Sequence, residues 1–252
     1  ILNLKDTSIQ HEFTAWNTRI NHLLYIQKDV LLIVMDAYGN MSIHDTKNNY
    51  IAMKQIKIDQ SAPFTDISLS NENDYFATIG PESNCVLVWN VNTFGIKNRI
   101  PISNFFVKKV CLINKDLIAV ILENCCVKYY ALCAYEGVFL KEMLNIHISS
   151  INSFITSRNY KYLISGGEEG MIKIWDMKMV FKKMQSYQYF NQHPNGIRGL
   201  FLLEKKSMLI SASEHSGIVF WHYKGDITFT DSEIMKELEK LTNSKNFPQL
   251  IA

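Results

Sequence analysis

Short apolar runs alternate with turn residues along the chain, and the clearest example lies at residues 160–176. Residues 162–165 form an apolar run, and residues 171–175 alternate between apolar and other side chains. Three glycines lie between the two runs, where a tight reversal favours residues without a Cβ. The pattern therefore predicts a β-hairpin, two antiparallel strands joined by a short turn.

The same hairpin recurs along the chain at a nearly constant period. Each copy has an aromatic residue or a histidine directly after an apolar-x-apolar triplet. These anchor residues are His44, Trp89, Tyr130, Trp175 and Trp221. They are 45, 41, 45 and 46 residues apart, and two more apolar runs precede each of them. Such even spacing predicts five repeated β units in one domain.

The net charge, the cysteines and the length of the apolar runs disfavour several classes of function. A net charge of +2, with no run of more than two basic residues, does not favour a nucleic-acid partner. The five cysteines lie in or beside apolar strand runs without a CxxC pair, which predicts buried thiols in a reducing compartment and no metal site. No apolar run reaches the ~18 residues of a membrane span, and no leader is visible. We expect a soluble, intracellular protein, and the initial Ile indicates a segment of a longer chain.

The hairpin at residues 160–176 resembles the second and third strands of a WD-repeat (WD40) propeller blade, whose signature ends in Trp-Asp after a glycine-containing turn. A second marker of that family is a histidine before the first strand, and His147 and His193 each lie 28 residues before their Trp. Both markers are present only in the last two units. The resemblance implies an all-β propeller with five visible blades of four antiparallel strands, at residues 16–58, 59–102, 103–146, 147–192 and 193–229.

The segments outside the blades are assigned from local pattern. Residues 1–15 are interpreted as a lead-in or outer strand. Residues 230–252 are interpreted as a short amphipathic helix and tail, and the helix packs on the propeller edge, docks to a partner or links to a further domain. WD-repeat propellers most often have seven blades. The five visible ones leave three alternatives: a sector of a longer propeller, pairing with blades from the same or another chain, or two blades too divergent to recognise.

The resemblance also implies buried hydrogen-bonded sets that join the marker histidine, a serine of the second strand and the anchor Trp. The matching residues are His147, Ser165 and Trp175 in blade four, and His193, Ser211 and Trp221 in blade five. Ser165, His147 and Glu169 could also be read as a nucleophile, a base and an orienting acid. Because the Ser and the His recur one period later, a structural role is favoured, and no catalytic residue or cofactor is predicted.

In this family the residue just before the turn tends to face the open rim where partners bind. Four of these five positions hold Glu, and the residues before the first strands add others to the same face. The candidate partner-binding rim consists of Arg19, Glu82, Phe106, Glu123, Glu168 and Glu214. It predicts a protein partner with a basic surface.

The resulting expectation is a non-catalytic scaffold for protein–protein interactions in a large multiprotein assembly. Two stretches, AWNTRINHLLYI and FATIGPESNCVLVWN, loosely resemble axonemal and ciliary WD-repeat proteins, which favours a cytoplasmic, cytoskeletal or ciliary location and leaves the nucleus open. One alternative is a ubiquitin-ligase substrate receptor, for which Lys178 stands two residues after Asp176 where an Arg is expected. Another is a ribosome-assembly or RNA-associated scaffold, which would need a basic face.

Overall fold

The computed structural model describes residues 18–57, 64–80, 84–158, 160–177, 188–191, 193–204, 208–215 and 217–222. Those residues form nineteen strands in five antiparallel sheets, and each sheet follows the order of the sequence. The predicted lead-in at residues 1–15 and the predicted C-terminal helix at residues 230–252 lie outside the described residues. No helix among the described residues is long and apolar enough to cross a membrane.

Each sheet is one blade. Blade one contains β1 (Ile20–Ile26), β2 (Leu31–Asp36), β3 (Met41–Asp45) and β4 (Ile51–Ile56). Blade two contains β5 (Ile67–Leu69), β6 (Tyr75–Ile79), β7 (Cys85–Asn90) and β8 (Ile96–Pro101). Blade three contains β9 (Val107–Asn114), β10 (Leu117–Leu122), β11 (Val127–Ala131) and β12 (Val138–Met143). Blade four contains β13 (Ile151–Thr156), β14 (Tyr162–Gly167), β15 (Met171–Asp176) and β16 (Gln188–Asn191). Blade five contains β17 (Ile197–Leu203), β18 (Met208–Ser213) and β19 (Gly217–His222).

The predicted all-β propeller with five blades is confirmed, with one difference in strand number. Four blades have four strands each, whereas blade five has three strands within the described part of the chain. The fourth strand expected for that blade would follow His222, where the described residues stop. Its three strands pair in sequence order like the first three of the other blades.

The five anchor residues occupy the same place in their sheets. Each lies near the end of the third strand and pairs with the second residue of the second strand. The equivalence is visible in Trp89 opposite Phe76 and in Trp175 opposite Leu163. The sequence period therefore corresponds to a repeat in strand register.

Packing between neighbouring blades forms the core. Trp89 of blade two stacks on Phe76 at 5.9 Å between ring centroids, within a cluster that includes Met35 and Ile43 of blade one. Similar clusters join blades two and three, three and four, and four and five. All six residues of β10 are buried, because blade three is covered on both faces. Such a strand is apolar throughout instead of alternating.

The cysteines differ in one respect from the expectation of buried thiols. Cys85, Cys111 and Cys126 are buried, and burial raises the pKa of the Cys111 thiol to about 12. Cys125 is partly exposed and Cys133 is exposed, so the expectation was wrong for Cys133. Cys133 lies two residues beyond the end of β11, where the chain leaves the buried layer. The described residues contain no group of side chains that could hold a metal ion.

Two glycines with positive φ offer a test of how tightly blades four and five approach each other. Gly170 (φ +81) ends the β14–β15 turn and Gly217 (φ +78) is the first residue of β19, one position further on in its repeat. A Cβ on Gly170 would overlap the carbonyl oxygen of His193, whereas a Cβ on Gly217 meets nothing within 4 Å. Gly217→Ala should lower the free energy of unfolding by about 1–2 kcal/mol through backbone strain alone. Gly170→Ala should cost about 1–3 kcal/mol more because of the overlap.

Chemical denaturation of the two variants measures the difference. Equal losses of stability would show that the backbone of blade five does not press on the turn of blade four.

Candidate functional site

The described site has a buried hydrogen-bonded set in blade four and an exposed rim above it. The Nε2 atom of His147 lies 2.7 Å from the Ser165 hydroxyl oxygen, and the indole Nε1–H of Trp175 donates to that same oxygen at 2.9 Å. His147 Nδ1 also hydrogen-bonds the Glu169 carboxylate, which in turn accepts from the hydroxyl of Ser149. The set spans three separate parts of the blade and fixes the loop before β13 against the β14–β15 turn.

The pKa shifts of His147 and Glu169 indicate which atoms of this set carry protons. Burial lowers the pKa of His147 and keeps its ring neutral. Burial opposes ionisation of Glu169, but the hydrogen bonds from Ser149 and His147 outweigh it, and the pKa of the Glu169 carboxyl is lowered. A neutral ring that donates from Nδ1 to the carboxylate can accept only at Nε2. The Ser165 hydroxyl therefore donates to His147 and accepts from Trp175.

Ser165, His147 and Glu169 are hydrogen-bonded in the order of a catalytic triad, but their surroundings do not suit catalysis. Ser165 is fully buried and its oxygen already accepts from an indole, which leaves no approach for a substrate carbonyl. Acyl transfer would also require hydrogen-bond donors placed around an open position next to the nucleophile. The geometry serves to satisfy polar groups buried between blades.

Blade five repeats the core of the set. His193 Nε2 lies 2.7 Å from the Ser211 hydroxyl oxygen, and Trp221 Nε1 donates to that oxygen at 2.8 Å. The position equivalent to Glu169 holds His215, which is exposed. The three residues that the sequence grouped in each of these blades are therefore in direct hydrogen-bond contact.

A third set, in blade two, was missed by the sequence reasoning. Trp89 Nε1 donates to Thr78 Oγ1 at 2.9 Å, and both side chains are buried. Thr78 lies eleven residues before its anchor instead of ten, because the turn of blade two carries an extra residue. Allowing for that insertion, a Ser or Thr near this spacing was the available signal.

In blades one and three the anchor residue is not Trp, and it makes different contacts. In blade one the His44 ring lies 2.8 Å from the Ser42 hydroxyl and 2.9 Å from the Tyr50 carbonyl oxygen. In blade three the serine position holds the buried Val120, and Tyr130 packs edge-on against Phe139 at 5.8 Å.

A repeated backbone hydrogen bond builds the rim. In four blades the N–H of the residue before the turn donates to the carbonyl oxygen of the residue before the first strand. The pairs are Ala37 to Arg19 at 2.8 Å, Glu123 to Phe106 at 3.1 Å, Glu168 to Ser150 at 2.8 Å and Glu214 to Gly196 at 3.3 Å. These bonds bring the two sets of rim residues together on one face. Glu82 and Pro63, the corresponding residues of blade two, lie outside the described residues.

The charges of the rim are partly balanced. Arg198 forms an ion pair with Glu214, and its guanidinium lies 3.9 Å from Glu168. The hydrogen bond to Arg198 lowers the pKa of the Glu214 carboxyl. Glu123 and Phe106 are both exposed at the neighbouring position on blade three. Sequence reasoning did not place Arg198 among the glutamates, because it is the second residue of β17 rather than a residue of the turn.

Comparisons with known proteins agree with this architecture. The family model for the WD domain, G-beta repeat matches residues 139–176, which run from β12 through β15. A solved structure, the β-propeller domain of Cps50 (Swd1) from Myceliophteria thermophila, superposes with a TM-score of 0.70 at 14% identity and covers 86% of this chain and 70% of that one. No curated protein matches the sequence.

The fold and its repeated sets define the class of protein, a β-propeller. One of its repeats, at residues 139–176, matches the WD-domain model, which supports a β-propeller of the WD-repeat type. Propellers of this class generally bind other proteins. Because 1726 chains of known structure match, the fold is widespread and does not by itself select one function.

The set in blade two gives a direct test of what these hydrogen bonds contribute. Thr78→Val keeps the shape of the side chain but leaves the buried indole N–H of Trp89 without its acceptor, so the free energy of unfolding should fall by about 1–3 kcal/mol. Thr65→Val, at an exposed position just before β5, should change it by less than about 0.5 kcal/mol. Urea denaturation of both variants measures the contrast, and equal effects would contradict a role for this hydrogen bond in stability.

Proposed function

We propose that this protein is a non-catalytic scaffold that binds another protein at its rim and acts as a subunit of a multiprotein assembly. The observation that carries the proposal is the pair of neighbouring aromatic residues Phe105 and Phe106, both exposed on the rim of blade three. Large exposed aromatic side chains are typical anchors of protein interfaces.

The rim is suited to recognition because its backbone is fixed. The Phe106 carbonyl accepts the N–H of Glu123, so the aromatic side chain and the carboxylate are held side by side. Below them, β9 and β10 are almost entirely buried and give the loop a rigid base. A preorganised aromatic anchor loses little entropy on binding, which favours affinity.

The carboxylates of the rim favour a basic group on the partner. Glu123 lies beside the aromatic anchor, whereas Glu168 and Glu214 share Arg198. We place the main contact at blade three for that reason. Glu168 and Glu214 can pair with a basic partner only when Arg198 is displaced from them.

The location and the assembly follow as parts of the same proposal. A cytoplasmic scaffold, with a cytoskeletal or ciliary assembly as its setting, rests on the loose resemblance of two stretches of sequence. The ubiquitin-ligase alternative depended on Lys178, which lies outside the described residues. No observation favours an RNA-associated role, so neither is proposed as a second function.

The proposal is tested by comparing the proteins that co-purify with the tagged chain and with two variants. Phe106→Ser should reduce the recovery of a specific partner by about tenfold or more, because truncating an interface anchor costs over about 1.4 kcal/mol. Tyr189→Ser, which removes an exposed aromatic residue from the outer strand β16, is the matched control and should leave recovery unchanged. If both variants recover the same proteins in the same amounts as the wild type, the rim of blade three is not the binding surface.

The basic character of the partner is tested separately with the partner so identified. Arg198→Gln uncovers two carboxylates and should raise the association rate at low salt, whereas Glu123→Lys should lower it. Both effects should shrink at ~0.5 M salt, where screening is strong. Rates that are independent of both changes at every ionic strength would exclude a basic partner while leaving the aromatic anchor intact.

A further inference from the structure

The connection that leads into blade four holds a large apolar side chain in water. It comprises residues 144–150, between β12 and β13, and its Ile148 is 89% exposed, more than any other large apolar residue that the structure describes. The two neighbours of Ile148, which are His147 and Ser149, are both hydrogen-bonded to Glu169. The isoleucine is therefore displayed by a loop that is fixed on both sides of it, and a fixed anchor loses little entropy on binding.

The same loop is tied to the β10–β11 turn and to β9 of blade three. The Cys125 thiol in that turn donates to the carbonyl oxygen of Ser149 at 2.9 Å. The Lys108 ammonium donates to the hydroxyl of Ser150. Both bonds cross from blade three to blade four, so Ile148 is held beside the turn that carries Cys125.

Phe105 and Phe106 stand on the other side of that turn. Their connection comes from blade two, whereas the connection with Ile148 leads to blade four, so the two connections flank the β10–β11 turn of blade three. The Phe106 carbonyl accepts the N–H of Glu123, which is the first residue of the turn and is exposed. The rim of blades three and four therefore presents two apolar anchors with a carboxylate between them.

The fold does not require apolar residues at these places. Counted back from the first strand of each blade, the position of Ile148 is occupied by Asn104 in blade three and by Pro194 in blade five. The position of Phe106 is occupied by Ser150 in blade four. Because polar or small residues serve the fold there, the exposed apolar side chains are best explained by binding.

The carboxylate between the anchors is available to a cation from outside. Among the ion pairs of the described residues, none includes Glu123. Lys108 lies near the junction, but its ammonium is directed to Ser150 and, at 3.0 Å, to the Oδ1 atom of Asn152. Arg198 is engaged by the carboxylates of blades four and five. Charge complementarity thus favours a basic group directly between the two apolar contacts.

We infer that this surface, formed by Phe105, Phe106, Glu123 and Ile148, binds a short linear segment of the partner that carries a lysine or arginine between two apolar side chains. The inference rests on the proposed function and goes beyond it, because it adds blade four to the interface and specifies the pattern that is recognised. The segment lies across the β10–β11 turn, with one apolar side chain on each anchor. In an extended segment every second residue points to the same side, so the pattern apolar-x-basic-x-apolar presents all three groups to the protein.

A library of random peptides displayed on phage supplies the probe. Selection on the tagged 252-residue chain, with the double variant Phe106→Ser, Ile148→Ser as counter-selection, should enrich the pattern apolar-x-basic-x-apolar. For a synthetic peptide selected in this way, each single variant should weaken binding by about tenfold or more. Tyr189→Ser, at an exposed aromatic residue of the outer strand β16, should leave its Kd unchanged. All these side chains are exposed, so each variant should melt within about 2 °C of the wild type.

The role of the carboxylate is tested with the same peptide and with a version in which Leu replaces its basic residue. Glu123→Gln should weaken binding of the basic peptide by about threefold or more at low salt. It should leave the affinity for the Leu version unchanged, because that peptide has no charge to lose at this place. Equal effects on the two peptides would contradict a pairing between Glu123 and the basic residue.

Two cysteines report where the peptide lies. Cys125 is partly exposed in the turn between the anchors, whereas Cys133 is exposed beyond the end of β11. Bound peptide should slow the alkylation of Cys125 by iodoacetamide several-fold and leave that of Cys133 unchanged. Peptide that protects neither thiol, or both equally, does not lie across the β10–β11 turn and contradicts the inference.

The variants also separate this inference from the proposed function. If Phe106→Ser abolishes both peptide binding and recovery of the partner while Ile148→Ser changes neither, the interface is confined to blade three, so the proposed function stands and this inference is wrong. If neither variant changes recovery of the partner, the proposed function is wrong as well. A library from which no peptide dependent on both anchors can be selected would contradict recognition of a linear segment.

Discussion

Burial of both faces of each sheet by its neighbours is the constraint on which this structure depends. A single four-stranded sheet is marginal in water, and only stacking converts its two apolar faces into a core. Blade three shows the result most fully: β10 lies in the middle of its sheet, with a blade on each side, and all six of its residues are buried. Among the described residues blade five has a blade on one side only, and four of the six residues of its second strand, β18, are partly exposed.

The polar sets follow from the same constraint. An anchor Trp brings an indole N–H into the layer between two blades, where an unmet donor is costly. Ser165, Ser211 and Thr78 supply the acceptors, and in two of these three blades a histidine also hydrogen-bonds the serine hydroxyl. The arrangement in blade four resembles a catalytic triad only because a buried structural set and a catalytic site can both use a hydroxyl, an imidazole and a carboxylate that are hydrogen-bonded in that order. Burial distinguishes the two roles, because a catalytic serine must be accessible to a substrate, whereas a structural serine need not be.

The fold could be predicted from the sequence because its units repeat at an even period. Each of the five anchor residues marks one strand and is preceded by two further apolar runs, so fifteen strands can be located without any knowledge of contacts. What the sequence could not give depends on contacts between repeats. A one-residue insertion hid Thr78, although its hydrogen bond to Trp89 is as short as that of Ser165 to Trp175. The charge of the rim was judged from turn residues alone, whereas Arg198 reaches Glu168 and Glu214 from a strand. The exposure of Phe220 is likewise invisible in a sequence where Val88 and Ile174 occupy the same place.

Native-state hydrogen exchange of β10 and β18 would show whether cover from neighbouring blades sets local stability. Both are second strands with hydrogen-bonded partners on each side, so they differ mainly in how their sheet faces are covered. We expect the amides of β10 to exchange only through global unfolding and those of β18 to exchange at least roughly 100-fold faster, through local opening of blade five. Equal protection of the two strands would contradict it.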